Sequence, residues 1–366
     1  MDQSVARPAS ASALHDTDHM RQLAISLERI GDFLRELDRG EDALRAYEAS
    51  LKLFESDRGR TGLSSDFVAI NQKLARIHSA SGNLKAALQH FATATEVSTQ
   101  LARENATRAD LQLDALRSRM AYAHLLVSDG QGAAALQQLS ETVRAYRSTA
   151  RPGIQWDRIG YDILLSLGRL LKAASHPDRG LAQLREARSI ARRIAVTAGK
   201  GSNFDLQLVS VAAQEADALI ELGDLAGALA VSEAVVGDIR SFASKAALAQ
   251  ALGNLAWHAT IANQSVRALR AADEAIEIAG DDDWMQLKRG HALLAMGSRR
   301  AAVEQYKRVA RNQRCDGKKW SDEIVEGLAL LNSGGAAIEA LSEDEWGDIA
   351  GAERGTNGGA RPLADA

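Results

Sequence analysis

A chain of 366 residues with 44 basic against 48 acidic side chains and a net charge of −4 has no global field to draw nucleic acid or an anionic membrane. Hydrophobic residues make up 46% but aromatics only 4%, so the apolar surface is mostly Ala, Leu, Ile and Val, which suits close helix contacts and disfavours a thick sheet sandwich. A single cysteine, Cys315, excludes an internal disulfide or a cysteine-based zinc site and fits a reducing compartment, where it reads as a tolerated free thiol.

At the start, Met1 to His19 has no apolar core of a signal peptide, and no later stretch of about twenty uncharged apolar residues occurs, so a cytoplasmic protein is expected. Residues 1–17 read as disordered. His15, Asp16, Asp18 and His19 carry metal-ligating atoms but lack any orienting partners, and they read as part of that segment. Beyond it, only four prolines and few alternating β-branched runs predict long, uninterrupted helices.

Seven helix pairs follow, each marked by a small residue followed by an aliphatic one early in its second helix. These are Ala43-Leu44, Ala87-Leu88, Ala135-Leu136, Gly180-Leu181, Ala228-Leu229, Ala268-Leu269 and Ala302-Val303. Twelve residues before each stands another small residue: Gly31, Ala75, Ala123, Gly168, Ala216, Ala256 and Gly290. Two antiparallel helices approach closely only where both are small, so these positions predict the crossings. Enlarging Ala87 or Gly168 to Leu should cost about 1–3 kcal/mol, whereas Ser98, read as a surface position, should tolerate the change. Turns are expected at Gly82-Asn83, Gly130-Gln131, Pro177-Asp178, Gly223-Asp224 and Gly297-Ser298. Four residues after the small anchor a bulky one recurs as Tyr47, Phe91, Leu139, Leu184 and Tyr306, with Ser232 and Ala272 departing. Polar links join the pairs, and their aspartates are expected to cap the next helix.

These residues resemble the tetratricopeptide repeat, over roughly residues 20 to 312. Gly290, Gly297, Ala302 and Tyr306 stand at that family's spacing, and the step from Ala268 to Ala302 is its period; the earlier units are longer. The resemblance implies an all-α, right-handed solenoid of about seven helix pairs over residues 18–312. Residues 313–349 are expected to hold a capping helix, Trp320 to Asn332, and an acidic end, Glu343 to Asp348, that either frays or docks in a basic groove. Residues 350–366 are expected to form a disordered tail.

No HExxH, GxSxG or CxxC occurs, and Gly199-Lys200-Gly201-Ser202 lacks the first glycine of a phosphate loop, so no catalytic residue, cofactor or metal is expected. The resemblance implies instead that the first helix of each pair lines a concave groove, with inward positions one and four after the small residue. Those positions, with Lys73 and Arg117 beside them, put Lys73, Arg76, Arg117, His124, Arg169, Lys172, an exposed Trp257 and His291 in a protein- or peptide-binding surface. The expected function is a non-catalytic adaptor for a protein or peptide, including an acidic segment, without nucleic acid or membrane. The resemblance also implies regulation of an effector such as a caspase-like protease. The alternative is a peptide-sensing receptor of the bacterial quorum-sensing type, against which stands the shortness of the segment before the first repeat; an enzyme is a remote third.

Overall fold

Small residues twelve apart, alternating with bulky ones, are enough to make a chain fold back on itself in helical hairpins, and the computed structural model shows this. It describes residues 11–61, 64–199, 203–312, 317–333, 338 and 340–357, with side chains for 19–56, 64–199, 203–312, 317–333, 338 and 340–353. Sixteen helices and no strand are found among the described residues. The chain forms two compact units, Met1–Ile163 and Leu164–Ala366.

The first unit holds α1 (Ala11–Glu36), α2 (Gly40–Thr61), α3 (Ser65–Ala80), α4 (Leu84–Glu104), α5 (Ala109–Ser128), α6 (Gly132–Thr149) and the start of α7 (Ile154–Ala173). The second holds the end of α7, then α8 (Pro177–Ala198), α9 (Phe204–Glu221), α10 (Leu225–Ile239), α11 (Lys245–Ile261), α12 (Ser265–Ala279), α13 (Asp283–Ala295) and α14 (Arg299–Ala310). It closes with α15 (Trp320–Ser333) and α16 (Glu343–Asn357).

All fourteen small positions are buried at crossings of paired helices. Their size is required. A Cβ on Gly31 would lie 2.4 Å from the Tyr47 ring and one on Gly290 2.5 Å from the Tyr306 ring, so the two tyrosines at the bulky position are matched by glycine opposite. At Gly168 and Gly180 the backbones themselves touch, since a Cβ on Gly180 would come within 2.8 Å of the Gly168 carbonyl oxygen. Ser98 is buried too, correcting its surface assignment: its hydroxyl donates to the Thr95 carbonyl, and it faces the Leu111 side of α5.

The seven hairpin turns share one geometry. Seven residues after each small position of the first helix, the backbone turns left-handed: Asp38, Gly82, Gly130, Ser175, Gly223, Asn263 and Gly297 all have φ between 56° and 80°. The next residue's N–H then reaches back five residues, as in Asn83 to His78 and His176 to Leu171, closing the helix with a Schellman motif. The fourth turn therefore centres on Ser175, two residues before the expected Pro177, which instead occupies the first turn of α8. A serine pays a steric cost for a left-handed conformation that glycine does not, so Ser175→Gly should stabilise the second unit by about 1 kcal/mol in urea unfolding. Asn263→Gly should gain less, because asparagine tolerates this region.

Caps differ from expectation at several links. Asp282 caps α13 as expected, but Ser64 and Ser244 are the N-caps of α3 and α11, and Asp66, Asp110, Asp157, Asp205 and Asp283 sit further in, within first helical turns. There they face the positive end of the helix dipole. Buried Asp205 does more, accepting the Ser244 N–H at 2.8 Å and so tying α9 to the start of α11.

Helix extends into both terminal segments expected to lack it, from Ala11 and as far as Asn357. The assignments of residues 1–10 and 358–366, of the His15, Asp16 and Asp18 side chains, of Lys200–Ser202 and of Cys315 fall outside the described residues. The acidic stretch Glu343–Asp348 neither frays nor enters a basic groove. Ser342 and Glu345 form a reciprocal capping box, and Arg299 of α14 clasps both Glu345 oxygens at 2.7 and 2.6 Å. The Arg299 guanidinium first, and the Ser342 N–H after it, hold the Glu345 carboxyl down at about 2. Trp346 and Ile349 join Trp320, Ile324 and Leu331 in the core that closes this end of the second unit. Glu345→Gln should therefore speed amide hydrogen exchange in α16 while leaving α13 unchanged.

Candidate functional site

In the first unit, α1, α3 and α5 present adjacent faces. Lys73 on α3 bridges back to α1, donating to Asp32 at 2.6 Å and lying 2.7 Å from Glu28. The Tyr47 hydroxyl donates to the other Asp32 oxygen at 2.7 Å. Burial alone would raise the Asp32 carboxyl, but the bonds from Lys73 and Tyr47 outweigh it and hold the group below its usual range. Burial and then the Asp32 charge push the Tyr47 phenol well up. Lys73 is thus a structural tie between two units of the repeat, satisfied on two sides, and not a cation waiting for a ligand.

Beside this tie opens a cavity of about 800 Å³, lined by Asp32, Arg35, Glu41, Lys73, Arg76 and Ile77 among others. A second, of about 290 Å³, lies between α3 and α5 and is lined by Gln72, Arg76, Asp114 and Arg117. Arg76 borders both. It is exposed and makes no ion pair with another described residue, whereas exposed Arg117 is held by Asp114 at 3.0 Å. His124 is exposed about two turns further along α5. The first unit thus brings Arg76 and Arg117 to one cavity and leaves Lys73 and His124 in different roles.

In the second unit, Arg169 is exposed near the end of α7, and Lys172 reaches Glu221 at 3.1 Å. Of the basic residues expected in a binding surface, Lys73, Arg117 and Lys172 thus each face a carboxylate contributed by the chain itself. Trp257 is partly buried, not exposed, with the Lys288 ammonium 5.5 Å from its ring centre and the His291 ring 5.6 Å away. His291 is 2% exposed and bonded through Nδ1 to the Tyr306 hydroxyl at 2.8 Å, which removes it from any binding surface. The reason is α15, whose Gly327 lies so close that a Cβ there would be 2.6 Å from His291 Nε2. Burial, with the Lys288 charge behind it, lowers the His291 pKa to about 3. Burial likewise lowers Lys288 to about 8, partly offset by Asp217.

Lys288 was not singled out from sequence, although it stands two residues before its small position, the same register as Lys73. That shared register was the signal available. Also unread was a chain of Ser232, His258 and Asp217, with Oγ to Nδ1 at 2.6 Å and Nε2 to Oδ1 at 3.4 Å. Its order is that of a hydrolytic triad. Ser232 is 6% exposed and His258 2%, and the Ser232 hydroxyl also bonds the Ala228 carbonyl of its own helix, so no reacting carbonyl could approach it. These polar groups fill the space that Phe91 or Leu184 fills in other pairs. Among the described residues no cluster of three metal-ligating side chains occurs, and no helix is long and apolar enough to cross a membrane.

Paired antiparallel helices with small crossing residues and a repeated left-handed turn define an all-α repeat solenoid. In fold the chain is similar to tetratricopeptide repeat structures. No protein-family model and no curated protein sequence matches the chain. Among solved structures, it is similar to a signal transduction ATPase with a tetratricopeptide repeat sensor from Pyrococcus horikoshii, at 14% identity and a TM-score of 0.50, over 79% of this chain and 43% of that one. It is also similar to the apo form of RapI, at 11% identity and a TM-score of 0.47, over 92% and 99% of the two chains. YrrB, described as a TPR protein with an unusual peptide-binding site, is similar at 18% identity and a TM-score of 0.39, over 63% and 95%. At these identities the likeness concerns the fold.

Proposed function

We propose that the chain is a non-catalytic, protein-binding repeat scaffold that takes an acidic, extended segment of its partner along α1, α3 and α5. The observation that carries this reading is Arg76, an exposed guanidinium that has no carboxylate partner among the described residues and borders two cavities at once. A guanidinium in such a place offers a bidentate fork to a carboxylate, and the neighbouring Ile77 and Leu44 offer apolar contact to the residues beside it. The mixed lining favours a segment in which acidic side chains alternate with small apolar ones over a uniformly acidic run, because Asp32, Asp38 and Glu41 repel the latter.

An unbiased peptide-display selection tests this. Peptides enriched by the wild-type chain should carry acidic residues, and Arg76→Glu should lose them at least tenfold while keeping its melting temperature, since an exposed charge contributes little to stability. Binding should weaken with added salt. Enriched peptides without acidic residues, or full retention by Arg76→Glu, would place recognition elsewhere.

A further inference from the structure

One face of α1 is apolar and is not covered by any described residue. Met20, Leu23, Leu27, Ile30, Phe33 and Leu37 follow one another at intervals of three or four residues, which puts them along one side of the helix over about 26 Å. Leu23 is 50% exposed, Ile30 51%, Phe33 61% and Leu37 54%. The flank of the stripe toward α2 is occupied: Ala24 and Gly31 are buried against α2, Leu27 is half-buried, and Leu34, seven residues on from Leu27, joins the core of the first unit.

We infer that this stripe is the interface of a homodimer, in which α1 of one copy lies antiparallel against α1 of a second. Two observations select a second copy as the occupant. Apart from Met20, whose mate would be Gly40, the pattern is symmetric about Ile30: Leu23 and Leu37 stand seven residues to either side, and Leu27 and Phe33 three. A two-fold axis at Ile30 therefore sets Leu23 against the other copy's Leu37 and Leu27 against its Phe33, the self-complementary arrangement that an isologous contact needs. The charges permit this register. It brings Arg21 opposite Arg39 at the ends, and both are already neutralised, by Asp66 and Asp42 respectively.

Sedimentation velocity on the full chain, from about 1 to 200 μM, should show the mass doubling, with a dissociation constant on the order of micromolar. Ile30→Glu with Phe33→Glu should leave only monomer over that range, with helix content and melting of the dilute protein unchanged. The register is read separately by cysteine variants in a Cys315→Ser background, treated with a short bis-maleimide. Ile30→Cys should cross-link to itself, and Leu23→Cys should cross-link only when mixed with Leu37→Cys. A wild-type chain that stays monomeric at every concentration would overturn the proposal, as would a dimer that survives the double substitution. Self-linking of Leu23→Cys would equally overturn it, because that requires parallel helices or a two-fold axis near residue 23.

Discussion

Gly168→Leu is expected to destabilise the second unit by on the order of 3 kcal/mol, the upper end for overpacking a buried crossing. A Cβ at that position already meets Leu184 at 2.9 Å and the Gly180 carbonyl oxygen at 3.2 Å. Leu184 is fully buried and the carbonyl belongs to the facing backbone, so neither can move aside without separating α7 from α8. Gly180→Ala should show the same effect with one methyl, because its Cβ meets backbone oxygen at 2.8 Å and backbone nitrogen of Lys172 at 3.3 Å. Ala230→Leu, on an exposed position of α10, is the matched control and should be nearly silent. Urea unfolding followed by circular dichroism measures all three. Equal losses at Gly168 and Ala230 would contradict the crossing geometry.

The second large effect is acid sensitivity through His291. Its folded pKa, lowered to about 3 by burial and Lys288, lies below the ordinary value of about 6.5 that the unfolded chain retains. Below the latter the unfolded state takes up a proton that the folded state refuses, so stability is fully present above about pH 6.5 and is lost as pH falls toward 3. The limiting slope is about 1.4 kcal/mol per pH unit, or roughly 2 kcal/mol between pH 7 and pH 5. Replacing the imidazole by a group that does not titrate removes this term, so His291→Gln should lose less stability between those two pH values than the wild type does. The comparison is a double difference, in which titrations common to both proteins cancel. An identical loss in both proteins would show that His291 is solvated in the native state. The same linkage gives Lys288 a different window: its lowered pKa costs stability as pH falls from above 10 to about 8, and nothing further below that.

The sequence by itself determined the repeat, its register and its helix pairs. All fourteen small positions and the bulky residues Tyr47, Phe91, Leu139, Leu184 and Tyr306 lie where spacing placed them, because a helix crossing is set by the size of residues a fixed distance apart along one hairpin. Turns at Asp38, Ser175 and Asn263 escaped because the left-handed conformation there is imposed by the closing hairpin on residues that do not advertise it as glycine does. The chemistry of individual side chains was decided only in tertiary structure. Lys73 and Lys172 read as binding groups until Asp32, forty-one residues before the first, and Glu221, forty-nine after the second, meet them. His291 read as a groove residue until α15 covered it, and Glu343–Asp348 as a loose acidic end until Arg299 clasped Glu345. Each of these partners comes from another helix pair or a terminal helix. The pairs vary in length, so which charge meets which depends on how successive pairs stack, and no local spacing records that.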